Sequence, residues 1–381
     1  MENGGGFLME NQTQQKKIRI GIVGTGGIAR DHMKKYVTFD DVEIVGACDL
    51  VPGKARKFLD QYDLPKVPAF GSVAELIKNV EMDGASVCTY NTTHAVCAIA
   101  LLEAGVHVLC EKPMSFTLQE AVDMVRASRK AAKILTIGFQ PRYNFMRRKV
   151  DAIIDSGVLG KVYYVQSGGG RRRGIPFGTF VDKEKAGYGC LGDIGCYAID
   201  ECLHAIHYPK PLTVSAIATN YFGKNPKYYL GASTFDVDDF SVALVRLEDD
   251  VTFLFKQSWA MHADTLGDTI WLGTEGAIKI TSGHGEHNRP SRVMYYTDVN
   301  GQHIDSVVWP NIPMDGYLCD VELERPMDEW FGKIRGFVDA VRANGPAPVP
   351  GEEILYNQAI CDGIYRSSKL QKEVEIIIPE I

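Results

Sequence analysis

A charged tripeptide near the middle of the first half of the chain has the residue types of a catalytic site. Glu111-Lys112-Pro113 directly follows the apolar run His107–Cys110, which predicts a buried strand. Ligands of open α/β sheets bind at the carboxyl ends of parallel strands. A lysine ammonium there can hydrogen-bond a substrate hydroxyl, stabilise alkoxide charge, or transfer a proton if its pKa is lowered. The alternative is a surface salt bridge at a strand end.

A second set of polar residues follows at helical spacing. Asp193, Tyr197 and His204 lie at i, i+4 and i+11 of a helix predicted from about residue 193 to 206, on one face. A phenol can act as a base only if a cation such as Lys112 depresses its pKa. We therefore predict that Tyr197 relays a proton to or from Lys112. The alternatives are a packed aromatic for Tyr197 and an interface residue for His204.

The glycine-rich turn at Gly24-Thr25-Gly26-Gly27-Ile28-Ala29 fits the dinucleotide-binding pattern G-x-G-x-x-G/A. It follows a short apolar run and opens a predicted helix, whose N-terminal N–H groups can bind a pyrophosphate. Asp49 ends the second predicted strand, where an acidic residue binds the ribose 2′-hydroxyl and favours NAD over NADP. Lys54 and Arg56 keep NADP open as the less favoured cofactor.

These motifs, in this order and spacing, resemble the Gfo/Idh/MocA family of oxidoreductases over about residues 18 to 378. The resemblance also rests on Cys88-Thr89-Tyr90-Asn91-Thr92-Thr93-His94 and on Gly192-Asp193-Ile194-Gly195-Cys196-Tyr197-Ala198-Ile199-Asp200. It implies an N-terminal Rossmann domain, a C-terminal domain with an open antiparallel sheet, and hydride transfer between a nicotinamide cofactor and a secondary alcohol of a sugar, polyol or related ring.

The resemblance also implies roles for particular residues. Lys112 is expected to be catalytic with Asp193 assisting, and Tyr197 stands where many members have a histidine base. The expected cofactor contacts are Gly24, Gly26, Gly27, Ile28, Asp49, Asn91, Glu111 and Lys112. The expected substrate contacts are Arg142, Arg171, Arg173, Asp193, Tyr197 and His204.

The rest of the pattern supplies elements to position these residues. Strands alternate with helices up to about residue 138, which is typical of a parallel sheet covered on both faces. Beyond that point, long strand-like runs and two closing helices predict an α+β domain with a mostly antiparallel sheet. We expect a disordered tail at 1–17, a dinucleotide-binding Rossmann domain at 18–138, and a substrate-binding and oligomerisation domain at 139–381.

The predicted strand Phe240–Leu247 is apolar on both faces, with Val242 and Leu244 on one side and Ala243 and Val245 on the other. Helices can cover only one of these faces. We expect a second copy of the chain to cover the other, which predicts a homo-oligomer packed sheet to sheet. A long loop folding back over the sheet is the alternative.

Composition narrows the class of protein. The net charge of −7 argues against a nucleic-acid partner, and no apolar stretch is long enough to span a membrane. Nine cysteines without a CxxC pair, and no signal-peptide pattern, indicate a cytoplasmic protein with free thiols. We expect no metal, because Cys190, Cys196 and Cys202 recur too far apart and His284-Gly285-Glu286-His287 lacks zinc-site spacing.

We therefore expect a dehydrogenase that acts on a sugar, glycoside or polyol, with C3 of a glycoside as a specific hypothesis. Two alternatives remain open. The first is a glycoside-cleaving enzyme that uses tightly bound NAD for transient oxidation and elimination. The second is a non-catalytic protein that senses dinucleotides.

Overall fold

The structure is a computed structural model that describes residues 16–281, 292–308 and 327–381. Its first sheet has six parallel strands in the order β3-β2-β1-β4-β5-β6. The elements of this part are β1 Ile18–Val23, α1 Gly27–Tyr36, β2 Val42–Cys48, α2 Lys54–Asp60, β3 Ala69–Phe70, α3 Val73–Asn79, β4 Gly84–Val87, α4 His94–Glu103, β5 His107–Cys110, α5 Leu118–Ala131 and β6 Leu135–Ile137.

The central strands β4 and β5 are buried along their whole length. Helices cover both faces of a parallel sheet, so its inner strands carry continuous apolar runs. The strand order reverses between β1 and β4, and ligands of such sheets bind in the crevice at that point. The sheet thus places the turn after β1 and the ends of β4 and β5 around one crevice.

The second sheet has nine strands in the order β14-β13-β12-β11-β7-β10-β9-β8-β15, antiparallel except where β10 pairs with β7. The elements of this part are α6 Phe145–Asp155, β7 Val162–Gln166, α7 Lys183–Ala186, α8 Cys196–His204, β8 Pro211–Thr219, β9 Phe240–Leu247, β10 Thr252–Ser258, β11 Thr269–Gly273, β12 Gly276–Ile280, β13 Val293–Val299, β14 Gln302–Val308, α9 Glu329–Ala343, α10 Gly351–Leu370 and β15 Val374–Glu375. The predicted fold class, a Rossmann sheet followed by a large and mostly antiparallel sheet, is confirmed.

The two halves share their cores. Ala243 and Val245 of β9 are buried and belong to the larger core, which also contains residues of α8 and α10. Helix α9 follows β14 of the second sheet in the chain but packs against α1 of the first half, and its Phe337 joins the core that contains Ile20 of β1. A Cβ on Gly84 would lie 2.9 Å from the Phe337 ring, so this close approach requires glycine.

The opposite face of β9 is only partly covered by the described residues. Leu244 keeps 40% of its surface exposed, and Ile217, the β8 partner of Val242, keeps 57%. The alternative prediction is a loop that folds over this face of the sheet. Residues 309–326 lie outside the described residues, so the structure does not test that prediction for them. No helix in the described ranges is both long enough and apolar enough to cross a bilayer.

The structure differs from the predicted elements in a few places. The predicted helix at residues 193–206 begins instead with one turn of π-helix, Leu191–Gly195, before α8. Strand β14 was not predicted, because its sequence is polar and its residues are largely exposed at the edge of the sheet. The first 15 residues, where most of the disordered tail is predicted, lie outside the described chain.

Candidate active site

The glycine-rich turn connects β1 to α1 at the crevice. Gly24 has φ +82°, and a Cβ there would lie 2.8 Å from the Cys88 carbonyl oxygen. A Cβ on Gly26 or Gly27 would meet open space, so ligand atoms can approach the backbone closely. The first turn of α1 contains no acidic residue that would compete for its N–H groups. This turn therefore fits the pyrophosphate of a dinucleotide.

Asp49 stands beside this turn at the end of β2. One oxygen, Oδ2, accepts hydrogen bonds from Thr25 N (2.9 Å) and Thr25 Oγ1 (2.8 Å), and lies 2.8 Å from Lys54 Nζ. Arg56 instead bonds Asp60 and the carbonyls of Leu64 and Val67. Its other oxygen, Oδ1, accepts a hydrogen bond from Val51 N (3.0 Å), and the predicted ribose contact of Asp49 stays a prediction.

Lys112 joins the two halves of the protein. It follows β5 of the first sheet, and its Nζ donates to the Asp193 carbonyl (2.7 Å) and to Asp193 Oδ1 (3.1 Å) on the π-helical turn. Both side chains are largely buried, with 13% and 15% of their surface exposed. The peptide bond between Lys112 and Pro113 is cis. The predicted pair of Lys112 and Asp193 is therefore brought together at the crevice.

Tyr197 completes this cluster through its ring rather than its hydroxyl. Lys112 Nζ lies 4.7 Å from the ring centroid, a cation–π contact. The Tyr197 hydroxyl donates instead to Gln140 Oε1 (3.0 Å). Phe139 packs edge-on against the same ring at 5.5 Å. The direct hydroxyl-to-ammonium bond that a proton relay requires is not formed in this structure.

The electrostatics of the cluster also differ from the sequence-based expectation. Burial lowers the pKa of Lys112, but Tyr197 and Asp193 oppose it more strongly and raise the pKa above its ordinary value. Burial raises the pKa of Tyr197, and the opposing charge of Lys112 does not cancel this effect. The condition for Tyr197 to act as a base, a depressed pKa, is therefore not met in this structure, and the raised pKa of Lys112 favours its role in stabilising alkoxide charge. Burial of the phenol outweighs the nearby cation.

Glu111 turns away from the crevice into the protein. Its carboxylate is 4% exposed, pairs with Lys333 of α9, and lies 2.8 Å from His32 Nε2 of α1. The other ring nitrogen of His32 bonds the Ser86 hydroxyl (3.0 Å). Because its carboxylate is used in this buried network, Glu111 can contact the cofactor only through its backbone.

The loop after β4 links the first sheet to the second half of the chain. Asn91 Nδ2 donates to the carbonyl of Ala186 (2.8 Å), on the segment that leads to the π-helical turn. His94 Nδ1 lies 2.8 Å from the Pro113 carbonyl oxygen, which suits a donated hydrogen bond. Asn91 therefore lies at the crevice, and its predicted cofactor contact stays a prediction.

Two predicted substrate residues are not brought to the cluster. Arg142 is buried between Asp200 (2.7 Å) and Glu353 (2.7 Å). His204 faces Asp151 at 3.8 Å. Asp193 and Tyr197 both contact Lys112, whereas His204 lies two turns further along α8.

The arginine loop has mixed roles. Arg173 donates to the Met261 carbonyl (2.7 Å), and its guanidinium lies over the rings of Phe222 and Tyr228 at 5.3 and 5.2 Å. Arg171 is exposed, and its side chain donates to the Gly174 carbonyl at 3.5 Å. Arg173 thus connects neighbouring loops in this structure. Of the two arginines, Arg171 is the more accessible to a ligand.

Sequence reasoning missed three residues of the site. Trp259 bonds Asp193 Oδ2 (3.1 Å), Gln140 bonds Tyr197, and Lys333 pairs with Glu111. Each lies on a different element from its partner, and none stands in a motif. Only Gln140 had a position in the sequence that could have indicated a role in the site, because it lies shortly after the last strand of the first sheet.

The described residues include no group of three or more histidine, cysteine, aspartate or glutamate side chains placed to hold a metal ion. The sequence analysis expects no metal at three cysteines that recur every six residues. They are buried free thiols in the structure: Cys190, Cys196 and Cys202. The segment 284–287 lies outside the described residues.

Comparison with known proteins places the chain in a family. The profile described as an oxidoreductase family with an NAD-binding Rossmann fold matches residues 18–139, and the GFO/IDH/MocA C-terminal domain matches residues 147–279. The chain belongs to the Gfo/Idh/MocA family of oxidoreductases. The predicted family, the enzyme class and NAD as the cofactor are thereby confirmed.

Individual relatives share different amounts of the chain. D-glucoside 3-dehydrogenase of Escherichia coli is 26% identical over 302 residues, 77% of this chain and 83% of that protein. Inositol 2-dehydrogenase of Salmonella typhimurium is 34% identical over 146 residues, 38% of this chain and 43% of that protein. A levoglucosan dehydrogenase solved with NADH and levoglucosan matches the fold with TM-score 0.78 at 19% identity, over 96% of this chain and all of that chain.

Proposed function

We propose that the protein is an NAD-dependent dehydrogenase that oxidises a secondary alcohol of a sugar, glycoside or polyol, with C3 of a glucoside as the favoured position. The observation that carries this proposal is the Lys112 ammonium at the end of β5, bonded to the carbonyl and carboxylate of Asp193. The relative named D-glucoside 3-dehydrogenase, similar along most of the chain, supports the choice of substrate.

Each residue of the site has a separate role in the proposed reaction. Bound at the glycine-rich turn and Asp49, NAD would supply a hydride acceptor for the alcohol carbon. Lys112 Nζ donates a hydrogen bond to the alcohol oxygen and stabilises the alkoxide charge that develops there, and Asp193 Oδ1, 3.1 Å from Nζ, is the carboxylate oxygen that takes up the hydroxyl proton. The Tyr197 ring holds the ammonium in place. The buried cluster excludes water, so the ammonium stabilises alkoxide charge more strongly than it would in solvent.

The test is a panel of free sugars, methyl and phenyl glycosides and inositols, with NADH absorbance followed in the presence of NAD or NADP. Lys112→Ala should lower kcat/KM on the best substrate by about 10²–10³-fold, the range for removing one donor that stabilises charge in the transition state. The matched control is Lys78→Ala on the exposed surface of α3, which should leave activity unchanged. Unchanged activity in Lys112→Ala would refute the proposed role.

The same panel separates the alternatives. Release of the aglycone without net NADH would favour the glycoside-cleaving enzyme with tightly bound NAD. Binding of NAD with no turnover of any substrate would favour a dinucleotide sensor. Accumulation of NADH with an intact glycosidic bond supports the dehydrogenase.

We further propose the division of the chain into a dinucleotide-binding domain at 18–138 and a substrate-binding and oligomerisation domain at 139–381. The two sheets support this division, although α9 packs back onto α1. The partly exposed apolar face of β8 and β9 supports a homo-oligomer. The eight cysteines in the described residues are free and buried, as expected for a reducing cytoplasm.

A further inference from the structure

The Asp193 carboxylate is held from two sides. Lys112 Nζ, from the first sheet, bonds Oδ1, while the indole Nε1–H of Trp259, just beyond β10 of the second sheet, donates to Oδ2 at 3.1 Å. Trp259 is fully buried. Hydrogen bonds to a charged carboxylate are stronger than those between neutral groups, so this bond restrains the carboxylate effectively.

Trp259 is itself rigidly placed. Its backbone N–H donates to the Asp239 carbonyl (2.8 Å), which fixes the main chain. Its indole belongs to a small apolar core shared with Cys190 and Tyr229, and Ile194, the neighbour of Asp193, packs against the same core. The indole therefore cannot turn away without breaking this packing, and its N–H has a fixed direction.

The position of Asp193 explains why such a restraint matters. Asp193 lies on a π-helical turn, and no residue other than Lys112 or Trp259 bonds its carboxylate oxygens among the contacts described here. If Oδ2 lost its donor, the carboxylate could rotate about its side-chain torsions and move Oδ1 away from the ammonium. Small displacements of this kind lower reaction rates strongly, because reacting atoms must be aligned.

We propose that Trp259 is a positioning residue for hydride transfer, which orients Asp193 so that the Lys112 ammonium points at the substrate hydroxyl. This inference rests on the proposed function. Trp259 acts through Asp193 and does not contact the reacting atoms.

The first test is Trp259→Phe, which removes the N–H and keeps an aromatic side chain. We expect kcat to fall about tenfold while KM for NAD stays the same, because Trp259 bonds neither the glycine-rich turn nor Asp49. The matched control is Trp271→Phe. Trp271 is also fully buried and donates its Nε1–H at 3.1 Å, but to the Cys202 carbonyl. This control should keep the wild-type kcat.

A double-mutant cycle distinguishes positioning from a general structural role. In an Asp193→Ala background, adding Trp259→Phe should cause no further loss of kcat, measured at high enzyme concentration, because the partner is already gone. Equal losses with and without Asp193 would overturn the proposal. An equal loss in Trp271→Phe would also overturn it.

A measurement that needs no tryptophan substitution covers the case in which Trp259→Phe does not fold. The chain has four tryptophans, so ¹⁵N-labelled indoles give four side-chain N–H resonances. Asp193→Ala should shift one of them markedly. No shifted indole would show that the bond is absent, whereas a wild-type protein that oxidises no alcohol would refute the proposed function and leave this result standing.

Discussion

At the scale of single residues, the main revision concerns Tyr197. The ring supports the Lys112 ammonium at 4.7 Å, and the hydroxyl is used on Gln140. Burial raises the pKa of Tyr197, so the group stays a phenol at neutral pH. We therefore expect that the Tyr197 hydroxyl does not carry the substrate proton.

This arrangement predicts different results for two substitutions of Tyr197. Tyr197→Phe keeps the ring under the ammonium and should lower kcat by less than about tenfold, whereas Tyr197→Ala removes the cation–π contact and should cost more. Steady-state kinetics on the best substrate of the panel measure both. If Tyr197→Phe abolished activity as Lys112→Ala does, the phenol would be the essential proton carrier after all.

At the scale of secondary-structure elements, the buried pair of Glu111 and Lys333 connects α9 to the end of β5. His32 of α1 bonds the same carboxylate, so three elements meet at one buried charge. Lys333 also lies over the Trp330 ring at 3.8 Å. A buried ion pair is costly to break on one side only, because the remaining charge has no partner.

Lys333→Met should therefore destabilise the protein by about 3–5 kcal/mol, measured by urea unfolding. Adding Glu111→Gln should recover much of that loss, because the unpaired charge is removed. The control is Lys35→Met, which breaks an exposed pair with Asp328 and should cost less than about 1 kcal/mol. If the double variant were less stable than Lys333→Met, the ion pair would not be the cause.

A second prediction at this scale concerns pH. Burial, followed by the nearby charge of Asp155, raises the pKa of Asp151 on α6 to about 7. The unfolded chain ionises near pH 4, so the native state loses stability as the pH rises from about 4 through 7.

Asp151→Asn removes this cost. It should stabilise the protein by about 2 kcal/mol at pH 8 and leave its stability nearly unchanged at pH 4, as shown by thermal or urea unfolding at both values. The control is Asp249→Asn in the exposed turn before β10, which should behave alike at both pH values. An equal effect of Asp151→Asn at pH 4 and pH 8 would contradict the titration.

At the scale of the whole molecule, the face of the second sheet that carries Val242 and Leu244 has no complete cover among the described residues. We predict that Leu244→Arg weakens self-association, because it places a charge in an apolar interface. Sedimentation velocity should show a shift toward monomer. Leu230→Arg, at a residue 95% exposed on a different loop, should keep the wild-type assembly. A monomeric wild type would refute the predicted homo-oligomer.

The sequence by itself determined the features that depend on local order. Short runs of contiguous residues define four features: the glycine turn, the alternation of strands and helices, the acidic end of β2 and the lysine after β5. The elements that carry these features, and the order of the motifs, were therefore predictable. The bounds of strand β9 were predicted correctly, because turn residues lie on both sides of its apolar run.

Only the tertiary structure decided which side chains meet. Trp259 bonds Asp193, 66 positions away in the chain. Glu111 pairs with Lys333 across 222 positions, and Arg142 pairs with Asp200 across 58. The balance of burial against charge that keeps Tyr197 protonated depends on the same packing. Such contacts follow from how sheets and helices stack in space, which no local pattern encodes.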